Sequence, residues 1–221
     1  TGLKVNELDG VKYIKDDILN INNIENDFDL CFHLAAQSRV QPSFNNPQES
    51  SRVNVLGTSR VMEWSRLNNT KVIYAGSSSK HHKPSESPYA MYKFLGEEVC
   101  KLYKESYNVN VEIARFYNVY GPGENVDEIF GNVIGIWRSM IIKGEPLPIV
   151  GDGEQRRDFT HVDDIVDAMM KVVQLNKWGS VYELGRGENH SINEVVHMFN
   201  GERIYIDEIP GETRNTLCKS E

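Results

Sequence analysis

Short apolar runs rich in β-branched and aromatic residues alternate along this chain with longer amphipathic stretches, and this alternation constrains the fold most. Strands that alternate with helices are typical of a parallel sheet covered by helices. The predicted strands are residues 11–14, 30–34, 72–75 and 109–116. The second and third are continuous apolar runs, as expected for strands that are buried on both faces of a sheet. The sequence therefore predicts an α/β fold.

Two long helices are predicted to cover this sheet. Residues 47–68 place apolar side chains near one side of a helix, which Asn68 and Asn69 end. The second helix begins at Ser87, a serine N-cap followed by Pro88 at the first helical position, and it runs to about Tyr107.

The second half of the chain has a different texture. After Gly121-Pro122-Gly123 the turns come closer together and the segments shorten. We therefore predict a domain boundary near residue 123, with one region at 1–123 and another at 124–221. The second region is predicted to contain helices at 132–143, 162–175 and 192–199 and a strand at 181–184.

The length and charge of the chain argue against several classes of function. Its 221 residues suffice for one α/β domain with a small satellite. The net charge of −8 is spread along the chain, which argues against binding to nucleic acid or to anionic lipid. No apolar run approaches the ~18 residues that span a bilayer, and the chain does not begin with a signal peptide. We therefore expect a cytoplasmic protein with no nucleic-acid or membrane partner.

The cysteines and histidines indicate no metal site. Cys31, Cys100 and Cys218 are odd in number and far apart, and they form no Cys-x-x-Cys motif, which argues against a disulfide framework or a zinc site. We expect Cys31 and Cys100 to be buried as small apolar residues. The adjacent His81 and His82 lack further metal ligands, so that we interpret them as loop residues.

Tyr89 and Lys93 are the strongest candidates for chemistry. Four residues apart on a helix, they share a face and their side chains can meet. A phenol has a pKa of about 10, and an adjacent ammonium favours its phenolate. Lowering that pKa by about three units takes about 4 kcal/mol, which a close lysine and a cationic cofactor ring could supply. The spacing alone is weak evidence, because an exposed helix pair has it too.

A serine cluster strengthens this interpretation. Residues 77–79 follow the predicted strand 72–75, at the carboxyl end where open α/β sheets bind ligands. Turn formation is the alternative explanation for such a cluster. Together, Ser77 and Tyr89 offer a hydroxyl that holds a substrate oxygen and a phenolate that takes its proton, as the oxidation of an alcohol requires.

Seven motifs stand in a fixed order along the chain: Asp-Asp-Ile at 16–18, Phe-His-Leu-Ala-Ala-Gln-Ser at 32–38, Asn-Val-Leu-Gly-Thr at 54–58, a strand ending in Ser77, Pro-Tyr-Ala at 88–90 with Lys93, Arg-Phe-Tyr-Asn-Val-Tyr-Gly-Pro at 115–122, and Gly-Asp-Gly at 151–153 with Arg-Asp-Phe-Thr-His-Val-Asp-Asp at 157–164. In this order they resemble the extended short-chain dehydrogenases/reductases, and among them the NAD-dependent nucleotide-sugar epimerases and dehydratases of the UDP-glucose 4-epimerase type. The resemblance implies a Rossmann-like parallel sheet with helices on both faces and a small C-terminal α/β region that binds the substrate.

The resemblance further implies that NAD contacts residues from the first half of the chain. These are Asp17, Ile18, Leu34, Ala35, Ala36, Asn54, Tyr89, Lys93 and Tyr117. Asp17 and Ile18 would meet the adenine, and Asn54 would lie below the cofactor. Residues 34–36 would line the pyrophosphate and ribose, and Tyr117 would lie at the nicotinamide.

The same resemblance implies catalytic and substrate-binding roles. Tyr89 would be the base, Lys93 would bind the ribose and tune the charge of the phenol, and Ser77 would hold the sugar hydroxyl. The residues that would bind the nucleotide sugar are Ser78, Asn118, Asn132 and Arg157. For Arg157, a surface charge beside Arg156 is the alternative to a phosphate contact.

The start of the chain departs from these relatives. The Gly-x-x-Gly-x-x-Gly turn that binds the cofactor pyrophosphate is absent, and Thr1-Gly2 resembles the point just after their second strand. We therefore expect the first βαβ unit to be missing, whether the chain is a fragment, an incomplete sequence or a protein that has lost classical NAD binding. The sheet edge beside residues 11–14 would then need cover.

Later segments depart as well. Residues 79–89 form a shorter stretch than in the relatives, and the chain stops before their last helices. Ile209 stands where relatives often have a phosphate-binding arginine, and whether Arg214 replaces it stays open.

The resemblance also narrows the reaction. Relatives that eliminate water or decarboxylate have one or two acidic residues after the active hydroxyl, where this chain has Ser78 and Ser79. Without a carboxyl group there, elimination lacks its acid. We therefore favour epimerisation of a nucleotide sugar through a transient keto intermediate, at C4 of a UDP-hexose.

Other readings stay open. Within the family, the chain could be a 4,6-dehydratase or a keto-sugar reductase acting on a UDP-, GDP- or dTDP-hexose. From another class, it could be a noncatalytic nucleotide-sugar-binding remnant or a scaffold. Helices 47–68 and 89–107 correspond to those that pair across the dimer of relatives, so that a homodimer is expected by analogy.

Overall fold

Helices and strands alternate through the first half of the molecule. The structure, a computed structural model, describes residues 8–24 and 27–219. In this part of the chain the α-helices are α1 (Val40–Asn45), α2 (Pro47–Ser51), α3 (Thr58–Asn68), α4 (Pro88–Tyr107), α5 (Val133–Lys143), α6 (Val162–Leu175) and α7 (Ile192–Val196). The strands are β1 (Leu30–His33), β2 (Lys71–Ser77), β3 (Val111–Phe116), β4 (Asn118–Tyr120), β5 (Leu147–Val150), β6 (Arg156–Arg157), β7 (Phe159–His161), β8 (Val181–Leu184), β9 (His190–Ser191) and β10 (Arg203–Ile206).

Four strands form the central sheet, in the order β1–β2–β3–β8, and all of its neighbours are parallel. Side chains along a strand alternate between the two faces of the sheet. On one face, Val72 and Tyr74 of β2 pack in a cluster with Met62 of α3. On the other face, Ile73 packs with Val172 of α6. The predicted parallel sheet with helices on both faces is therefore confirmed.

The chain beyond residue 123 contributes to two parts of the molecule. Helix α6 and strand β8 return to the central sheet, whereas α5, β5 and α7 surround a second core. That core consists of Trp137, Leu147, Ile149, Phe159, Ile192, Val195 and Val196. Three two-stranded pairs accompany it: β4 with β7, β5 with β10, and β6 with β9. The domain boundary near residue 123 stays a prediction.

The two long helices lie where the sequence predicts. The Ser87 hydroxyl accepts a hydrogen bond from the Ala90 N–H at 3.1 Å, and Asn108 ends α4 with a φ of +57°. Between α2 and α3, residues Arg52–Gly57 form a π-helical turn, so that the predicted helix 47–68 is interrupted in its middle. Such turns inside helices are frequent at functional sites.

The predicted strand at 11–14 is wrong. These residues form no strand, and Val11, Tyr13 and Ile14 are 51%, 51% and 52% exposed. A strand is stabilised by hydrogen bonds to a neighbouring strand, and no described strand lies beside this segment. Strand β1 is consequently an edge of the described sheet. The expectation for Thr1-Gly2 lies outside the described residues.

Smaller differences concern boundaries and burial. Asn132 is the N-cap of α5 rather than its first residue, and α7 ends at Val196, before the predicted Phe199. Cys100 is buried as predicted, whereas Cys31 is only partly buried because β1 lies at the sheet edge. Among the described residues, no helix combines the length and apolar character needed to cross a membrane.

Candidate active site

The carboxyl ends of β1, β2 and β3 meet at one edge of the central sheet, because these strands are parallel neighbours. Residues 34–37 follow β1, Ser77 ends β2, and Tyr117 follows β3. The first turn of α4 contributes Tyr89 to the same edge. Ligands of open α/β sheets bind outside this edge. The topology therefore brings together most of the residues that the sequence singles out.

Ser77 and Tyr89 form a pair of hydroxyl groups. The Tyr89 hydroxyl lies 3.5 Å from Ser77 Oγ, and Ser79 Oγ lies 3.0 Å from the same atom. The Ser87 cap begins α4 just before Tyr89, and the Tyr89 N–H donates to Ser43 Oγ of α1 at 3.0 Å. These backbone contacts hold the phenol in place. Ser78, the predicted substrate contact, begins a 3₁₀ turn (Ser78–His81) directly after Ser77.

The pKa of Tyr89 is raised above its usual value. Burial is the largest cause, and it outweighs the hydrogen bond to Ser77 and the positive charge of Arg39, both of which favour the phenolate. The lowering expected from Lys93 is therefore absent in the protein alone. A buried phenol of this kind is protonated at neutral pH until a further positive charge is brought beside it.

Lys93 is directed toward the strand beneath it. Its Nζ donates to the Ala75 carbonyl of β2 at 2.7 Å and lies 5.0 Å from the centre of the Tyr74 ring. The side chain is almost fully buried, and burial lowers the pKa of Lys93 to about 8. The Lys93 ammonium therefore donates to the Ala75 carbonyl, whereas the Tyr89 hydroxyl is paired with Ser77. The catalytic roles of Ser77, Tyr89 and Lys93 stay predictions.

Asn54 shapes the loop after β1. Its side-chain oxygen accepts from the Gln37 N–H at 2.8 Å, and its Nδ2 donates to the Gln37 carbonyl at 3.0 Å. Asn54 lies in the π-helical turn and is 2% exposed. The same turn therefore fixes the backbone next to Leu34, Ala35 and Ala36.

Asp17 and Ile18 contact this π-helical turn from the other side. The Asp17 carboxylate forms an ion pair with Arg52 at 2.9 Å. A Cβ atom on Gly57 would lie 2.9 Å from Ile18 Cγ2, so that glycine permits the close approach. The structure thus connects residues 17–18, 34–37 and 54, which the sequence places far apart.

A charged network that the sequence does not reveal supports Tyr117. The Tyr117 hydroxyl donates to Glu183 of β8 at 3.0 Å, and burial together with this carboxylate raises the pKa of Tyr117. Arg115 forms ion pairs with Glu183 and with the buried Glu97, both at 2.7 Å. His81 Nε2 lies 3.0 Å from Glu183, which ties the turn after Ser77 to β8. No spacing in the sequence indicates these partners.

The predicted substrate-binding residues lie on the side of the second core. Asn132 is 8% exposed and donates from Nδ2 to the Val119 carbonyl at 2.8 Å. The Arg157 guanidinium is largely buried and pairs with Glu212 at 2.6 Å, so that it is not a free surface charge. Asn118 Nδ2 lies 3.4 Å from Thr216 Oγ1. Their contacts with a substrate stay predictions.

Arg39 is the residue that sequence reasoning misses. It follows the motif at 32–38, and its Nη1 donates to Asn132 Oδ1 at 3.2 Å. A charged residue directly after an apolar loop was the only available signal, and it is a weak one. The structure joins Arg39 to the substrate-binding side through its hydrogen bonds to Phe130 and Asn132.

The residues present fit the nicotinamide and ribose end of a dinucleotide. Leu34 is 50% exposed beside the loop, and the buried Oε1 of Gln37 has no hydrogen-bond partner among the described residues. An exposed apolar side chain beside an unpaired acceptor suits a ligand with both ring and hydroxyl groups. The chain offers no glycine-rich turn for the pyrophosphate.

Known proteins with similar sequences belong to one family. The family model described as the NAD dependent epimerase/dehydratase family matches residues 4–185. The UDP-glucuronate 4-epimerase of Thermodesulfobacterium geofontis is 31% identical over 220 residues, which are 88% of this chain and 66% of that protein.

Solved structures are similar as well. The structure of UDP-glucuronic acid 4-epimerase from Bacillus cereus, in complex with UDP-glucuronic acid and NAD, is 27% identical with a TM-score of 0.83, covering 93% of this chain and 72% of that one. The UDP-N-acetylglucosamine 4-epimerase from Methanobrevibacter ruminantium, in complex with UDP-N-acetylmuramic acid, is 30% identical with a TM-score of 0.83, covering 93% and 73%.

Proposed function

This chain belongs to the NAD dependent epimerase/dehydratase family, and from that premise we propose that it catalyses the NAD-dependent epimerisation of a nucleotide sugar at C4 of a UDP-hexose. The observation that carries the proposal is the hydroxyl pair of Ser77 and Tyr89, 3.5 Å apart at the carboxyl edge of the sheet. Lys93 lies buried one helical turn further on. Alcohol oxidation needs a group that orients the hydroxyl and a group that takes its proton.

In the proposed site, the residues that would hold the cofactor are the loop 34–36, Asn54, Lys93 and Tyr117. When bound, NAD supplies the hydride acceptor and, later, the hydride donor. Its positive ring also supplies the charge that a buried phenol needs in order to ionise. The relatives with bound NAD support this assignment.

Tyr89 then takes the proton of the C4 hydroxyl at its phenolic oxygen, while Ser77 Oγ holds the same hydroxyl. Lys93 is kept in place by the Ala75 carbonyl, so that its ammonium stays within the site as the proton moves. The proton returns to the C4 oxygen after the keto sugar has turned its other face. Ser77 and Tyr89 therefore serve in both directions.

The two residues directly after Ser77 carry no carboxyl group, which favours epimerisation over elimination. Ser78 and Ser79 follow Ser77, and Ser79 donates to Ser77 Oγ instead of acting as an acid. The Glu183 carboxylate is engaged by the Tyr117 hydroxyl, Arg115 and His81. A dehydratase would need a free acid at this point.

The test is a product analysis. The protein is incubated with NAD and, separately, with UDP-, GDP- and dTDP-hexoses, and the sugars are resolved by NMR. We expect the C4 epimer of a UDP-hexose. A 4-keto-6-deoxy product would identify a dehydratase, and no product from any substrate would contradict the proposal. Calorimetric titration with NAD and with UDP-glucose separately completes the test, since a chain that binds UDP-glucose and fails to bind NAD is a noncatalytic remnant.

We also propose that the chain forms a homodimer through the helical segment 47–68 and α4. A groove of about 670 Å³ lies between α4 and the segment that comprises α2, the π-helical turn and the start of α3, and is lined by Pro47, Gln48, Ser51, Arg52, Val55, Leu56, Ser59, Tyr92 and Val99. Leu56, Leu95 and Leu102 are 46%, 36% and 53% exposed. Apolar side chains exposed along a helix pair are typical of an interface with a second copy.

Light scattering after gel filtration tests this assembly. We expect a molar mass of twice 25.2 kDa for the unmodified chain and the monomer mass for Leu56→Arg. Ile142→Arg, at a residue that is 87% exposed on α5, is the matched control and should leave the mass unchanged. A monomeric unmodified chain would contradict the proposal. The cytoplasmic location predicted from the sequence stays a prediction.

A further inference from the structure

Arg39 is held in a conformation that favours glycine. It precedes α1 with a φ of +83° and a ψ of +144°. Residues with a side chain rarely adopt this region, and such backbone outliers in other proteins cluster at ligand-binding sites. The guanidinium is fixed by two acceptors: Nε donates to the Phe130 carbonyl at 3.1 Å, and Nη1 donates to Asn132 Oδ1 at 3.2 Å.

The charge of Arg39 is not neutralised at close range. Both of its hydrogen-bond acceptors are uncharged, and within residues 8–24 and 27–219 no carboxylate forms an ion pair with it. Burial lowers the pKa of the guanidinium. The groups that oppose this shift from a distance are Tyr89, Glu124 and Glu212. An arginine remains charged in such surroundings, so that an anion bound beside it would be strongly favoured.

Arg157 provides a second buried guanidinium on the substrate-binding side. Burial also lowers the pKa of Arg157, which pairs with Glu212. Glu212 belongs to a segment that lies on α1, because Gln41 Nε2 donates to the Pro210 carbonyl at 2.6 Å. The Glu212 carboxylate thus pairs directly with Arg157, and its segment also contacts α1, the helix that follows Arg39.

Other arginines of the region are engaged elsewhere. Arg214 forms a bidentate pair with Asp152 at 2.7 and 2.8 Å, and Arg156 pairs with Glu194 at 3.1 Å. Arg214 therefore does not take the place of the arginine that is absent at Ile209. Arg39 is the guanidinium in this region with no carboxylate partner of its own among the described residues.

We propose that Arg39 and Arg157 together bind the diphosphate of the nucleotide-sugar substrate, with Arg39 on the side of Tyr89. The assignment rests on the proposed function, because it names the group of that substrate which the site recognises. Arg39 would bring a second guanidinium to the diphosphate from the start of α1, a part of the chain remote from Arg157. Guanidinium groups suit this task because they bind phosphate oxygens through paired N–H donors.

Calorimetric titration without cofactor tests the proposal. UDP, UMP and uridine are titrated into the unmodified chain and into Arg39→Gln, with GDP and dTDP as base controls. We expect Arg39→Gln to weaken UDP binding by about 10- to 100-fold, as for the loss of a charged hydrogen bond. Uridine binding should be unchanged, and UMP should be affected less than UDP.

Two further variants separate recognition from folding. Arg39→Gly removes the guanidinium and suits the positive φ, so that UDP binding should fall as in Arg39→Gln while the urea midpoint stays equal or rises. Arg214→Gln removes a guanidinium outside the proposed site, and it should leave UDP binding unchanged. Unaltered UDP binding in both Arg39 variants would overturn the proposal.

A carboxylate on the sugar is the other source of a suitable anion. UDP-glucuronic acid and UDP-glucose distinguish it from the diphosphate. An equal loss of both ligands in Arg39→Gln supports the diphosphate, whereas a loss confined to UDP-glucuronic acid, with UDP unaffected, overturns it. If the unmodified chain binds none of the nucleotide diphosphates, the proposed function fails together with this inference. If it binds them and Arg39 is indifferent, this inference alone fails.

Discussion

The two ends of the site are assembled in different ways. At the hydroxyl end, defined by Ser77, Tyr89 and Lys93, the two hydroxyl groups come from residues 12 apart in the chain. At the arginine end, defined by Arg39, Asn132, Arg157 and Glu212, the contacting residues are 93 apart for Arg39 and Asn132 and 55 apart for Arg157 and Glu212.

This difference teaches where each end is vulnerable. The hydroxyl end depends on one strand, one turn and one helix, whose positions follow from local backbone rules. The arginine end depends on the packing of segments that meet only in the folded chain. Chemistry should therefore respond to changes at single side chains, whereas binding should respond to changes in distant supporting contacts.

The largest effect is expected from Tyr89→Phe, which removes one oxygen from the hydroxyl end. Loss of a general base lowers kcat by about 10²- to 10⁴-fold. Because the diphosphate is assigned to the arginine end, calorimetric binding of UDP should stay within twofold of that of the unmodified chain. A fall in kcat of less than tenfold would show that Tyr89 is not the base and that the catalytic step does not depend on the hydroxyl end.

Asp158→Ala tests the support of the arginine end. Asp158 is fully buried beside Arg157 and accepts from the N–H groups of Arg186, Gly187 and Cys218 at 2.9, 2.9 and 3.0 Å. Leaving these donors without an acceptor should lower the free energy of unfolding by about 3–5 kcal/mol.

Urea unfolding measures this loss. Asp163→Ala is the matched control, because the Asp163 side chain is 82% exposed and lies in the first turn of α6. Equal unfolding midpoints for the two variants would show that the buried Asp158 carboxylate does not stabilise the arginine end.

The protonation of Lys93 makes the free energy of unfolding depend on pH, which tests the burial of this residue at the hydroxyl end. Burial lowers its pKa from 10.5 to about 8 in the folded state. Above pH 10.5 the Lys93 amine is neutral in both the folded and the unfolded state. As the pH falls from 10.5 to 8, only the unfolded state gains the proton, so that the free energy of unfolding decreases. Below pH 8 both states are protonated, and this decrease stays constant. Relative to Lys93→Met, the unmodified chain should gain about 3 kcal/mol between pH 8 and 10.5.

Parallel urea titrations of both proteins across this range give the difference directly, since other titrating groups cancel. A constant difference would mean that Lys93 keeps its charge throughout, held by groups other than the Ala75 carbonyl.

The smallest effect is expected from Arg214→Gln. The Arg214 and Asp152 side chains are 62% and 55% exposed, and exposed ion pairs contribute little to stability. The urea midpoint should not change measurably. A midpoint lowered toward that of Asp158→Ala would show that the exposed Arg214–Asp152 ion pair also stabilises the arginine end.

Much of the hydroxyl end could be predicted from the sequence. The apolar run before Ser77 indicates a buried strand, and Ser87 with Pro88 indicates where α4 begins, so that Tyr89 falls in its first turn. The direction of Lys93 could not be predicted, because a shared helix face does not specify whether an amine meets a phenol or a carbonyl. Glu183 and Arg39 gave no usable pattern, since their partners lie on remote segments.

The failure of the strand at 11–14 has the same origin. Its apolar residues satisfy the local pattern of a strand, yet a strand exists only beside another strand, and the described chain provides none there. By contrast, β2 has partners on both sides and forms as predicted.

The amino-acid sequence by itself determined the parallel strands β1, β2, β3 and β8, the long helices beside them, the cap that places Tyr89, and the family to which the chain belongs. The strands, helices and cap depend on backbone geometry and side-chain periodicity, which act over a few residues, whereas the family is indicated by the resemblance of the ordered motifs. Only the tertiary structure decided that Lys93 meets the Ala75 carbonyl, that Glu183 supports Tyr117, and that Arg39 lies beside Asn132. Those contacts depend on which distant segments pack together, because burial and charge act through space and not along the chain.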